Sequence, residues 1–152
     1  LQFDYRDGNV RCEEKWGLTQ MWESCTWADP DVWLRLICDV VIRENKQSIR
    51  IIDYKTGRRF GKEFEHNNQL MLYAIAGMHM FPDCEHITTE IWYLKEGSTL
   101  EKHYTRDMCD IFKPKWHQRA VTMTTDTEFM SNGSKGKCKW CDFNKFCKDS
   151  YV

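Results

Sequence analysis

A chain of 152 residues with 41% hydrophobic and 30% charged positions has room for one folded core, and no run in it approaches the roughly 20 apolar residues that a membrane-spanning helix needs. The formal net charge of −1 argues against nucleic-acid binding through overall charge, but three basic and seven acidic residues lie in 1–34, which leaves the remainder net positive. No charged-then-apolar leader opens the chain, and the eight cysteines, five scattered and three clustered near the end, point to reduced thiols plus one metal site in a cytoplasmic setting rather than to a secreted disulfide framework.

In chain order, 10–18 reads as a first strand and 26–31 as a loop around Pro30. The run 33–43 (WLRLICDVVIR) is rich in Val, Ile and Leu, and 48–54 (SIRIIDY) repeats that character, so the two form a hairpin across the polar turn 44–47. A helix follows over 63–80: Leu70, Tyr73, Ala74, Gly77 and Met78 recur at three- and four-residue spacings, and Pro82 closes it. Segments 87–94 and 100–105 make a second hairpin around Glu96-Gly97-Ser98. Asp107 is the expected cap of a helix running towards Thr125, with Pro114 near its first turns. Residues 132–136 (NGSKG) read as a flexible linker before the cysteine cluster. The order predicts an α/β class mixed sheet flanked by helices, with a core over 1–131 and a cysteine-bearing segment over 132–152.

Asp39 and Asp53 lie in the two apolar strands of the first hairpin, and Lys55 follows Asp53 by two residues. Residues two apart on a strand share a face, so Asp53 and Lys55 project together and Asp39 can approach them. Two carboxylates suit a hard divalent cation such as Mg²⁺ or Mn²⁺ completed by waters and a substrate phosphate. A lysine beside them can hold the attacking water or meet developing charge. The plainer alternative is an Asp–Lys ion pair at the open end of a strand. Gln69 and Tyr73, four apart on the helix, share a face and can both hydrogen-bond into the same space.

The combination of Asp39, Asp53-Tyr54-Lys55-Thr56-Gly57, Gln69 and Tyr73 resembles the RecB-like branch of the PD-(D/E)XK nucleases. That branch has an Asp on one strand, Asp-x-Lys on the next and Gln-x-x-x-Tyr on the following helix. The resemblance covers 33–73. It implies a restriction-endonuclease-like fold, metal ligation by Asp39, Asp53 and the main-chain carbonyl of Tyr54, a catalytic Lys55, and roles for Gln69 and Tyr73 in binding DNA or positioning the lysine. The implied activity is a deoxyribonuclease, an exonuclease preferring single-stranded DNA or free ends. Its implied partners are a helicase or the proteins of recombination or CRISPR adaptation, in a bacterial, archaeal or phage-infected cytoplasm.

Cys138, Cys141 and Cys147 have two and then five residues between them, with Trp140, Phe143 and Phe146 interleaved. Three thiolates this close suit zinc or an iron–sulfur cluster. Iron–sulfur members of the same branch, the CRISPR-associated exonucleases and the AddB subunits, end in this spacing, which implies a [4Fe–4S] cluster whose fourth cysteine lies far upstream. Cys12 is the candidate fourth ligand, with Cys25 next. The chain departs from the family in having Leu36 where a glycine is usual, and in lacking an upstream helix with a His or Glu ligand. Glu13 and Glu14 are candidate substitutes. Starting on Leu1, the chain fits an N-terminally shortened piece, and a catalytically weak nucleic-acid-binding module is the alternative function.

Other conspicuous residues fit packing better than chemistry. Cys38, Cys84 and Cys109 read as core or surface thiols, and Trp22, Trp27 and Trp33 as cover for the sheet, with stacking on single-stranded bases as the alternative. The five histidines have no ligand spacing, although His66 falls on the face of Gln69. Basic groups collect at Arg58, Arg59 and Lys62 and again over 135–148.

Overall fold

The computed structural model describes residues 8–57, 59–128 and 130–151, so Arg58 of the first basic group lies outside the described residues. The chain divides into two compact units, one ending at Gln118 and one beginning at Arg119.

The first unit is built on a six-stranded mixed sheet of order β2-β1-β3-β4-β5-β6. Its strands are β1 (Val10–Thr19), β2 (Ser24–Cys25), β3 (Val32–Arg43), β4 (Ser48–Lys55), β5 (His86–Tyr93) and β6 (Ser98–Thr105). The two expected hairpins are both antiparallel pairs, β3 with β4 and β5 with β6. β4 and β5 run parallel, joined by the crossover helix α1 (Glu63–Met80). That connection matches the span expected from its apolar spacing, because a parallel pair needs a crossover long enough to return the chain.

α1 packs on the sheet through a fully buried stripe that includes Leu70, Ala74 and Ile75, against Ile49, Ile51, Ile87 and Ile91. Gly77 permits the closest approach: a Cβ there would stand 2.8 Å from Ile87 Cδ1 and 3.3 Å from Ile49 Cδ1. Trp16 and Leu18 from β1 complete the core at the other end, with Phe81 edge-on to the Trp16 ring at 5.9 Å. The first turns of α2 (Arg106–Thr125) add Cys109, Phe112 and Trp116 to the same cluster. Trp22 is buried beside Trp33, and its Nε1 donates to His117 Nδ1 at 3.3 Å, so these tryptophans are packing groups. Cys38, Cys84 and Cys109 are buried as well.

On the other face of the sheet, Arg50 joins three strands. Its guanidinium meets Glu44 at 2.8 Å, Glu101 at 3.2 Å and the buried Glu90 of β5. A single cation thus answers a carboxylate that burial would otherwise penalise.

Two local expectations are corrected. Asp107 does not cap α2. The hydroxyl of Thr105 accepts from Met108 N at 3.3 Å, because the helix starts at Arg106 and Asp107 already lies inside it. The segment 132–136 is not simply a linker: Ser134 accepts from Lys137 N and caps a short helical turn, α3 (Lys135–Cys138). In this second unit successive turns follow, with Cys141 N donating to Cys138 O and Cys147 N to Phe143 O.

Candidate active site

The pairing of β3 with β4 runs from Arg43↔Ile49 to Val40↔Ile52 and then stops. The next rung would set Asp39 opposite Asp53. Here the strands part, and Asp39 Oδ2 instead accepts from the main-chain nitrogen of Tyr54 at 2.7 Å. The reason lies in β3. Its core-facing positions are Leu36 and Cys38 before Asp39 but Val41 after it, while Val40 and Ile42 join a cluster on the opposite face with Ile52 and Val10. The strand therefore changes its facing at Asp39 and Val40, and the side chain of Asp39 is turned towards the end of β4.

β1 carries a matching irregularity. Its pairing with β3 skips one rung, between Cys12↔Val40 and Glu14↔Cys38. The residues on that rung are Glu13 and Asp39, and Glu13 has a φ of 52°, a conformation that a side chain disfavours. Glu13 thus stands level with Asp39, whereas Glu14 is paired with Arg11 at 3.0 Å.

Asp53 is buried and its two oxygens are treated differently. Oδ1 accepts from Gln69 Nε2 at 2.9 Å, and the Tyr73 hydroxyl lies 3.1 Å away. Gln69 also donates to the Tyr73 oxygen at 3.0 Å. Oδ2 has no well-aligned hydrogen-bond donor and faces Lys55 Nζ at 2.7 Å. The helix pair from α1 therefore grips one oxygen of Asp53 and leaves the other to cations. Burial, reinforced by the charge of Asp53, pushes the Tyr73 hydroxyl well above its ordinary range, so it remains a neutral donor.

Beneath this group lies Cys38. Its thiol is also driven upward, first by burial and then by the charges of Asp53, Glu14 and Asp39. A neutral thiol under several carboxylates adds no further negative charge to the site. Lys55 answers Asp53, and no ion pair among the described residues reaches Asp39. Among these three groups two carboxylates and one lysine leave an excess of negative charge, which suits a divalent cation.

His66 is buried near the site but does not bond to it. Its Nδ1 is 2.6 Å from the Tyr93 hydroxyl. Burial lowers its basicity, and the charges of Lys55 and Lys62 lower it further. Tyr93 itself escaped the sequence reading. The usable signal was register, since Tyr93 sits opposite Lys55 in the parallel ladder, but that ladder cannot be drawn before the crossover is known.

In the second unit Cys138, Cys141 and Cys147 line one cavity of about 240 Å³ together with Asn132, Gly133 and Asp149. Cys138 is buried, and the other two are exposed. The backbone is close-packed there, as a Cβ on Gly133 would stand 2.8 Å from the Asp149 carbonyl oxygen. The donor chemistry fits a soft metal centre, although among the described residues no three ligand side chains are gathered tightly enough to grip an ion. Cys12 is exposed on β1, and Cys25 is partly buried on β2.

A family model described as the PD-(D/E)XK nuclease superfamily matches residues 9–148. No curated protein matches the chain. Among solved structures, the crystal structure of SSO0001 is similar over 97% of this chain, at 14% identity and a TM-score of 0.46. This chain spans 63% of that one. No helix among the described residues is long and apolar enough to cross a membrane.

Proposed function

The chain belongs to the PD-(D/E)XK nuclease superfamily, and from that premise we propose that it is a Mg²⁺- or Mn²⁺-dependent deoxyribonuclease, an exonuclease preferring single-stranded DNA with free ends. The observation that carries this reading is that Asp39 reaches the end of β4, where it accepts from Tyr54 N at 2.7 Å beside Asp53, whose Oδ2 lies 2.7 Å from Lys55 Nζ. A module that only bound nucleic acid would gain nothing from carboxylates turned towards phosphates.

Asp53 Oδ2, the Asp39 carboxylate and the carbonyl of Tyr54 are the groups that hold the cation. Glu13, level with Asp39 on β1, is the candidate additional ligand. When bound, a divalent cation supplies charge neutralisation at the scissile phosphate and makes water easier to deprotonate. Lys55 carries three donors and a positive charge beside Asp53, which suits it to orient the attacking water and to meet charge building on the phosphate. Gln69 and Tyr73 act through Asp53, by fixing Oδ1 so that Oδ2 keeps one direction. The three clustered thiols are proposed to carry a [4Fe–4S] cluster. The soft donors gathered around one cavity support this, with zinc as the competing occupant. The setting of such an enzyme is DNA recombination, repair or CRISPR adaptation in the cytoplasm, beside a helicase or the adaptation proteins.

The test is cleavage of end-labelled single- and double-stranded DNA with Mn²⁺, Mg²⁺ or EDTA, comparing the chain with Asp53→Ala and Lys55→Ala. Cutting that needs the metal, favours the single strand and disappears in both variants is expected. Cutting that survives Asp53→Ala would sink the assignment of the site. Absence of cutting in a preparation that still binds DNA would favour a binding module. The same preparation should be brown and should bleach on iron chelation, whereas a colourless, zinc-loaded protein would displace the cluster assignment.

A further inference from the structure

Several large apolar side chains are left in water on the elements that carry Asp53 and Lys55 and those next to them. Phe60 is 91% exposed and Phe64 74%. Leu94, Tyr54 and Trp92 are exposed to a lesser degree. Tyr54, Trp92 and Leu94 lie at the ends of β4 and β5, Phe60 in the segment that joins β4 to α1, and Phe64 in the first turn of α1. Single exposed apolar residues need no explanation, but a group of them on adjoining elements does.

The segment that carries Phe60 is tethered on both sides. Leu94 N donates to Lys55 O at 3.0 Å, Arg59 N donates to Glu96 Oε1 at 3.2 Å, and Lys62 N donates to Arg59 O at 3.2 Å. The Arg59 guanidinium lies over the Tyr93 ring at 6.0 Å. His66 N, in the first turn of α1, donates to Lys62 O at 2.9 Å. Phe60 thus presents its ring from a backbone fixed beside the catalytic lysine, and Phe64 follows within the first turn of α1. Arg59 and Lys62 flank Phe60 in the chain, while Glu63 and Glu65 flank Phe64.

We propose that Phe60 and Phe64 form a stacking platform for the bases of an unpaired DNA strand, with Arg59 and Lys62 meeting its phosphates. The inference rests on the nuclease reading and names the element that selects the single strand. An unpaired strand offers bare base faces alternating with phosphates, and rings next to cations match that pattern. A duplex keeps its base faces stacked inside and has nothing to lay on a protruding phenyl ring. The charge sequence along this segment also makes sense for a strand: cations lie on the approach to Lys55, and carboxylates lie further along α1.

The test measures binding of fluorescent oligonucleotides in EDTA, where no metal-dependent cutting occurs. The wild-type chain, Phe60→Ala/Phe64→Ala and Phe60→Trp/Phe64→Trp are compared on an unpaired oligonucleotide, an abasic oligonucleotide of equal length, and a duplex. Both side chains are in solvent, so the thermal midpoint should not move. We expect the alanine pair to lose about tenfold or more in affinity for the unpaired strand, and the tryptophan pair to keep it. The wild type should bind the abasic strand as weakly as the alanine pair binds the normal one. Unchanged affinity in the alanine pair, or equal wild-type affinity for normal and abasic strands, overturns the platform. A wild type that cuts DNA with Mn²⁺ but ignores both rings in binding retains the nuclease reading and loses the inference. A wild type that binds through the rings and never cuts does the reverse.

Discussion

Tyr73 has one hydroxyl proton and two acceptors at 3.1 Å, the carbonyl of Ile37 and Oδ1 of Asp53. Gln69 settles part of that competition by donating to the tyrosine oxygen and to the same carboxylate oxygen. Groups that orient a ligating carboxylate are commonly worth 10- to 100-fold in metal affinity. Tyr73→Phe should therefore weaken Mn²⁺ binding by about tenfold, read by calorimetric titration, with little change in the unfolding midpoint. Unchanged Mn²⁺ affinity would mean that the proton serves Ile37 alone. At this scale the spacing of Asp39, Asp53 and Lys55, and the four-residue step from Gln69 to Tyr73, were visible in the sequence. The target of the helix pair was not. Spacing places two side chains on one face, but only packing shows that both reach Asp53 rather than the lysine. The positive φ of Glu13 and the bond between His66 and Tyr93 were equally hidden, since each depends on a neighbour distant in the chain.

Among the elements, the long apolar strands and α1 could be read because their period is set by burial on a sheet or beneath a helix. β2 could not, since two residues carry no period. The start of α2 was misplaced because Asp107 and Thr105 both have capping side chains, and the choice between them depends on where β6 ends. The turn at Lys135–Cys138 was masked by a Gly- and Ser-rich composition that also suits linkers. The closest contact between α1 and the sheet is at Gly77, and it can be tested directly. Gly77→Val would drive a branched side chain into Ile87 and Ile49, and overpacking of this kind costs about 2 kcal/mol. A clear drop in the denaturant midpoint is expected, and a smaller one for Gly77→Ala, because the gain in helix propensity offsets part of the clash. If Gly77→Val were as stable as the parent, α1 would have to sit further from β4 and β5.

For the molecule as a whole, two histidines make stability depend on acidity. Burial lowers the basicity of His66, with Lys55 and Lys62 adding to the effect. Burial also lowers that of His79, with Lys113 and Arg106 reinforcing it and Asp110 opposing it. In the unfolded chain both take up a proton near the ordinary value of about 6.5. The fold keeps them neutral below that value, so the unfolded state binds more protons and stability declines as the pH falls beneath about 6.5. Denaturant midpoints across that window should fall towards acid, and His79→Gln should flatten part of the slope. A midpoint independent of pH there would show that neither ring is neutral by virtue of the fold. The parallel pairing of β4 with β5 has a different kind of consequence, one of timing. Asp39, Asp53 and Lys55 leave the ribosome well before β5 does, and β5 is the strand on which α1 closes. While the chain is still being made, the carboxylates and the lysine are present, but the sheet that holds Gln69 and Tyr73 over them is missing its fifth strand. A nascent chain of this fold therefore carries the side chains of the proposed site before it has the shape that orients them.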